Sequence, residues 1–314
     1  MDIFEVVQPG PLTTVQDLGR TGYQQYGVPT SGALDDYAYR LGNLLVGNDE
    51  GAASLEITLF GCQLRALQDS LIAITGADLA PAVNGNPAPA WESLLIKRGQ
   101  LLSFSQLRKG CRAYLAVAGG LNVPEVMKSA STCVRAGIGG LNGRPLRKGD
   151  VLKAKAADTS AKAARIPAKY VPAYSNDLAL RVILGPQDDY FTDKGISTFL
   201  NSEYTVSAQA DRMGYRLEGP VIQHRTGADI VSDGIPLGAI QVPGDGLPII
   251  LLADRQTTGG YTKIATIISV DIPKVAQAKP GDSIKFQQVK GAQAVALRQK
   301  YELQIEAIKS LLRP

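Results

Sequence analysis

Apolar residues in this chain come in short bursts that glycine, proline or asparagine soon closes. That leaves little room for long helices and favours strands joined by tight turns. Leu71-Ile72-Ala73-Ile74, Leu94-Leu95-Ile96 and Ala113-Tyr114-Leu115-Ala116-Val117 are runs of this kind. Strands this short and this closely spaced build barrels or sandwiches, and 33 Gly with 18 Pro in 314 residues supply the turns. Asn84-Gly85 is a hairpin signal, because a type I′ turn needs positive φ at both central residues. Pro87, which has no N–H to donate, makes the strand beside it an edge. Two segments read as helix. Leu34, Tyr37, Ala38, Leu41 and Leu45 recur at helical spacing, with Asp35 and Asp36 favourable in the first turn. From about Ala292 to Leu312, Leu297, Tyr301, Ile305, Ile308 and Leu312 form one apolar stripe.

Length predicts about two domains at one per ~150 residues. Residues 1–160 form the first and residues 175–290 the second, followed by the helix at 291–314. The linker is placed at 161–174, within an Ala- and Lys-rich stretch from Lys153 to Pro172 that has no sustained periodicity. Each half closes on a similar element, Gly149-Asp150 feeding Val151-Leu152 and Gly281-Asp282 feeding Ser283-Ile284, consistent with two related β modules.

Several functional classes receive no support. The net charge of +4 is spread along the chain with no basic block interleaved with aromatics, so neither nucleic acid nor membrane is an expected partner. Met1-Asp2-Ile3-Phe4-Glu5 lacks the pattern of a secretory signal, and a cytoplasmic protein is expected. Cys62, Cys111 and Cys133 are far apart and form no C-x-x-C pair, so buried reduced thiols are expected, with no metal site. A single histidine, His224, cannot build a multi-histidine zinc site and is read as structural. The run from Gly137 to Gly143 resembles a dinucleotide loop, but its last glycine comes one position late, so a tight turn is expected. No G-x-x-x-x-G-K-[ST] phosphate loop occurs.

One segment carries site-like chemistry. Ala253-Asp254-Arg255-Gln256-Thr257-Thr258-Gly259-Gly260-Tyr261-Thr262-Lys263 gathers an acid, an amide, hydroxyls, a phenol and two bases around a double glycine. It lies between Pro248–Leu252 and Ile264–Ile272, both read as strands, and is therefore expected as their connecting loop. Gly259 and Gly260 would let backbone amides approach a small anionic or amide-bearing ligand. Two further polar stretches flank glycine, one from Ala210 to Leu217 and one from Ser232 to Pro243. Taken alone, Asp211-Arg212 reads as a local ion pair or a solvated turn.

Together with Thr13–Arg20, Gly27–Asp35 and Asn43–Asn48, these motifs resemble, over nearly the whole chain, the allophanate hydrolase subunit 2 family. That family is also called the biotin-dependent carboxyltransferase family. The resemblance is strongest toward the C subunit of 5-oxoprolinase. It implies a mainly β fold of two cyclophilin-like β-barrel domains with a few helices and a C-terminal helix. It also implies one component of a hetero-oligomer, incomplete when alone, that works with the A subunit and with a homologous B subunit of 5-oxoprolinase. The complex would open 5-oxo-L-proline to L-glutamate with ATP as co-substrate.

Two alternatives stay open. One is a carboxyltransferase component acting on urea or a related amide with biotin carried elsewhere; the other is a regulatory binding protein that antagonises an inhibitor of a histidine kinase. Val126-Met127-Lys128-Ser129 lacks the second Met of a biotin attachment site, so no covalent biotin is expected on this chain. Under the enzyme readings Asp254 is the expected proton acceptor and Lys263 the neutralising cation. Gln256, Thr257, Thr258, Gly259, Gly260 and Tyr261 would hold the small amide substrate, faced by Asp211, Arg212 and Gln241. Thr262 stands where the resemblance implies proline, and a looser turn is expected there.

Overall fold

The computed structural model describes residues 1–156 and 163–312. Part of the expected linker therefore lies outside the described residues. The chain divides into two compact units. One comprises Met1–Arg20, Ser31–Tyr174 and Ile305–Pro314, and the other Thr21–Thr30 and Ser175–Gln304. Both are mainly β, as the punctuated apolar runs predict. Among the described residues no helix is long and apolar enough to cross a membrane.

The first unit is built on two antiparallel sheets. In the six-stranded sheet, Asp2–Pro9 lies between Val151–Lys153 and Cys62–Ala66, followed by Leu101–Phe104, Pro81–Val83 and Asn86–Pro87. The five-stranded sheet runs Leu12–Gln16, Ser54–Thr58, Lys109–Val117, Ser70–Asp78 and Ser93–Ile96. Phe4, Leu64 and Phe104 of the first sheet and Leu55, Ile72 and Leu115 of the second share one buried cluster. Asn84 and Gly85 both have positive φ, 49° and 81°, and Pro87 sits on the sheet's outermost strand, both as expected.

The first helix, Asp36–Leu45, starts where Asp35 accepts the N–H of Ala38 at 2.9 Å. A cap of this kind stabilises a helix by about 1 kcal/mol. Its buried face meets the strand Ser70–Asp78, where Thr75 Oγ1 donates to the Ala38 carbonyl at 2.6 Å. The Tyr114 hydroxyl ties three elements together, accepting from Asp35 N at 2.8 Å and donating to Glu56 Oε2 at 2.7 Å. The described part of the expected linker, 163–174, bonds within this unit: Ser93 N donates to Ala164 O and Ile166 N to Trp91 O. The run from Gly137 to Gly143 is a set of turns in which Gly139 has φ of 72°. A Cβ on Gly139 would sit 1.9 Å from the Ser131 carbonyl oxygen, so close approach of the backbone accounts for that glycine. Cys62, Cys111 and Cys133 are buried, and burial pushes the Cys62 thiol up to about 12.

The second unit is a closed seven-stranded barrel. Its strands run in the order Asp177–Leu184, Lys263–Ile267, Ala239–Gln241, Ile249–Leu251, Gly214–Glu218, Glu203–Ala210 and Ser283–Gln288, which closes on the first. Closure leaves no unpaired barrel edge. The strand expected to reach Ile272 stops at Ile267, and Ser269–Asp271 and Ile272–Ala276 are helical. Pro273 opens the second of these helices, and Asp271 before it is fully buried and held by Arg181 through Nε at 2.8 Å and Nη2 at 2.7 Å, with Lys274 at 2.9 Å.

Burial by itself would raise the Asp271 pKa, but the Arg181 and Lys274 bonds outweigh it and hold the carboxyl below its ordinary value. A depressed native pKa means stability that is complete above the unfolded carboxyl value, about 4, and is lost as pH falls through it toward the native value. Urea titrations between pH 6 and 2 are therefore expected to show Asp271→Asn with a shallower acid loss, by up to about 1.4 kcal/mol per pH unit. Parallel slopes in the two proteins would refute this.

The two Gly-Asp turns share their chemistry. Asp150 accepts from Arg147 N at 2.7 Å, and Asp282 accepts from Lys279 N at 3.0 Å. The strands they feed pair differently, Val151–Lys153 antiparallel to its neighbour and Ser283–Gln288 parallel to Asp177–Leu184. In the final helix, Gly291–Leu312, only Ile305 and Ile308 of the expected stripe are buried; Leu297, Tyr301 and Leu312 are half-buried.

Candidate functional site

The segment from Asp254 to Lys263 is more than a connecting loop. Thr258–Tyr261 is a strand, and it pairs with Asp229–Gly234 in a two-stranded ribbon beside the barrel. Gly259 and Gly260 thus lie in extended backbone, and neither has positive φ. Space is what Gly259 provides. A Cβ there would fall 2.7 Å from Ile235 Cδ1, 2.9 Å from Gln241 Nε2 and 3.5 Å from Gln256 Nε2. Two side-chain amides from different parts of the barrel unit therefore converge over a residue that has no side chain.

Each amide is positioned by the backbone beneath it. Gln241 ends the strand Ala239–Gln241, where pairing with Lys263–Ile267 slips by one residue: Ile240 faces Ala265 but Gln241 faces Lys263. Such a bulge re-aims the side chain that follows it. Gln241 is buried, and its Nε2 donates to Tyr261 O at 3.4 Å. Gln256 follows a pinned turn in which Asp254 N donates to Arg212 O and Arg255 N to Leu252 O. Its Oε1 is buried with no hydrogen-bond partner. Leaving a buried acceptor unsatisfied costs about 1–3 kcal/mol, so such an atom calls for an explanation.

Gln241, Gln256, Asp211 and Tyr261 line one cleft of about 360 Å³, with Met213 and Leu251 among its apolar walls. This is the usual scale of small-molecule sites, about 300–1,000 Å³. Asp211 also builds the turn into Gly214–Glu218, its Oδ1 accepting from Met213 N at 2.7 Å and Gly214 N at 3.1 Å.

The remaining expected site residues are not part of the cleft lining. Asp254 and Arg212 are buried against each other, with Arg212 Nε 3.0 Å from Asp254 Oδ2 and Nη2 3.2 Å from Oδ1. The expected proton acceptor is therefore the counter-ion of an arginine that lies 42 residues away in the sequence. Lys263 is fully buried, its Nζ 3.1 Å from Asp233 Oδ2. That lysine, together with the Gly234 N–H, holds the Asp233 carboxyl below its ordinary value. Thr257, Thr258, Gly259 and Gly260 carry the ribbon that frames the cleft.

Arg255 is buried and donates to two carbonyls, Ile235 O at 2.9 Å and Leu252 O at 3.1 Å; burial pulls its guanidinium down to about 10. Thr262, expected to loosen the turn, instead ties it, because its N–H donates to Ala228 O at 2.8 Å and its hydroxyl to Val242 O at 3.3 Å. His224 Nε2 lies 3.0 Å from the same Val242 oxygen, and its ring packs on Phe191 at 4.7 Å, a structural placement. Among the described residues no group of three His, Cys, Asp or Glu side chains is placed to hold a metal.

Of the lining, Gln209 lies outside the polar stretches singled out in the sequence, and Met213 and Arg216 lie within the stretch from Ala210 to Leu217 but received no role there. The period-two alternation of Gly214–Glu218 could have revealed Arg216, since Tyr215 and Leu217 point inward to the core and Arg216 points out.

Residues 26–288 match the model of the carboxyltransferase domain, subdomain A and B, and the chain belongs to that family. It is 39% identical over 306 residues to the C subunit of 5-oxoprolinase from Escherichia coli strain K12, covering 98% of this chain and 97% of that one. It is 36% identical to the C subunit of 5-oxoprolinase from Haemophilus influenzae, with 99% of each chain covered. The crystal structure of the Kluyveromyces lactis urea amidolyase superposes with a TM-score of 0.91 at 34% identity over 98% of this chain, which spans 20% of that longer protein.

Proposed function

We propose that this chain is the C subunit of an ATP-dependent 5-oxoprolinase, acting with the A and B subunits to open 5-oxo-L-proline to L-glutamate, and that the barrel cleft receives the lactam. The observation that carries this reading is the pair of amides meeting at Gly259, one of them with a buried, unpartnered Oε1. A lactam holds its N–H and C=O on the same side of the ring. A primary amide side chain presents the complementary acceptor and donor, and can close a two-bond pair with it. As the carbonyl carbon is attacked, charge grows on its oxygen, and a fixed side-chain N–H is suited to meet it. End-to-end similarity to two proteins named as the C subunit of 5-oxoprolinase supports the assignment.

In this reading Gln241 and Gln256 hold the substrate, Asp211 faces them and Tyr261, 42% exposed, closes the mouth. Asp254 and Lys263 are positioning residues whose charges are spent on Arg212 and Asp233. The test is reconstitution: glutamate release from 5-oxo-L-proline and ATP by the A and B subunits should require this chain. A second reading, carboxyl transfer to urea or a related amide from biotin carried on another protein, is favoured by the likeness to urea amidolyase. Under that reading the isolated chain should bind free biotin.

A further inference from the structure

The lining of the cleft holds one cationic side chain, Arg216, and among the described residues nothing bonds it. Arg216 lies on the strand Gly214–Glu218, whose neighbouring residues Tyr215 and Leu217 are each 1% exposed and turned to the core. The alternation puts the Arg216 side chain on the other face, where it is exposed and lines the cleft with Gln209, Gln241 and Gln256. Among the described residues the Arg216 guanidinium has no hydrogen bond and no ion pair. The one acid of the lining, Asp211, has its Oδ1 turned to the amides of Met213 and Gly214 in its own turn. The cleft therefore offers two kinds of recognition at once: a paired amide edge at Gly259, and an uncommitted planar guanidinium whose fork of donors matches a carboxylate.

We propose that Arg216 anchors a carboxylate, so that the cleft takes small molecules carrying both an amide edge and a carboxylate, and discriminates against neutral amides such as urea. This deepens the proposed function and rests on it for the cleft being the substrate site. An anchor of this kind acts on binding of the ground state and the transition state alike. It should therefore appear in KM and affinity more than in kcat.

The test compares 5-oxo-L-proline with 2-pyrrolidone, which has the same lactam ring without the carboxylate, by titration calorimetry on the full chain. The wild-type chain should bind 5-oxo-L-proline about tenfold or more tightly than 2-pyrrolidone, the scale of a charge-assisted hydrogen bond. Arg216→Ala should erase the preference, Arg216→Lys should restore part of it, and neither should shift the melting temperature, because among the described residues the Arg216 side chain makes no bond. Equal affinity in the wild-type chain, a preference that survives Arg216→Ala, or no binding of either compound would overturn the proposal. The two readings fail separately. A reconstituted complex that turns over with unchanged KM in Arg216→Ala removes the anchor and leaves the oxoprolinase, whereas an Arg216-dependent preference without turnover does the reverse.

Discussion

Asp254→Ala should lower the stability of the barrel unit by about 3–5 kcal/mol, the usual cost of removing one member of a buried ion pair. Asp254 and Arg212 are 7% and 4% exposed and meet at two points. The substitution takes away the carboxylate while the guanidinium stays inside. The pair also fastens the turn before Gln256 to the turn after Ala210, since Asp254 N donates to Arg212 O at 2.9 Å. Loss of activity in this variant would therefore come with a lowered melting temperature, and Asp254→Asn should be nearly as unstable as the alanine. Thermal melts of the full chain, followed by near-ultraviolet circular dichroism, read this directly. A variant that melts like the wild type but is inactive would make Asp254 a participant in the chemistry.

Gln256→Leu should behave in the opposite way. Its Oε1 has no partner in the protein, so exchanging the amide for an apolar group of similar size should change stability by less than about 1 kcal/mol, or raise it slightly. Activity of the assembled complex should fall by about 10²–10³-fold, the scale seen when one preorganised donor facing developing charge is removed. The contrast between these variants separates what holds the site from what uses it. Gln256→Leu with full activity would reduce the convergence at Gly259 to packing.

Much of the fold was legible because it follows local rules. The strands around Leu71–Ile74 and Ala113–Val117, the Asn84-Gly85 hairpin and the helix opened by Asp35 depend on neighbours within a few residues. The polar run before Lys263 stood out by its density of donors and acceptors, and Gln241, Gln256 and Tyr261 line one cleft. Its form was not legible. The partner strand Asp229–Gly234 has five of its six residues exposed and shows no apolar alternation, so periodicity gave no sign of the ribbon.

Roles for charged residues were the least legible. Sequence distance made Asp211 the cheapest partner for Arg212, whereas the barrel brings in Asp254 from 42 residues away. Lys263 reads in sequence as an available cation, but the fold buries it and pairs it with Asp233. Arg216 reads as an ordinary surface base until Ile249 and Leu251 of the neighbouring strand make its face the wall of a cleft. In each case the missing information is which long-range neighbour consumes a charge, and only tertiary structure supplies it.

The most direct test of the central claim is glutamate release from 5-oxo-L-proline with ATP, using this chain co-purified with the A and B subunits of its host and omitting each in turn. Release that requires all three, and that disappears with Gln256→Leu while the complex still assembles, is the predicted result. A well-formed complex that releases no glutamate, or one that works equally well without this chain, would contradict it.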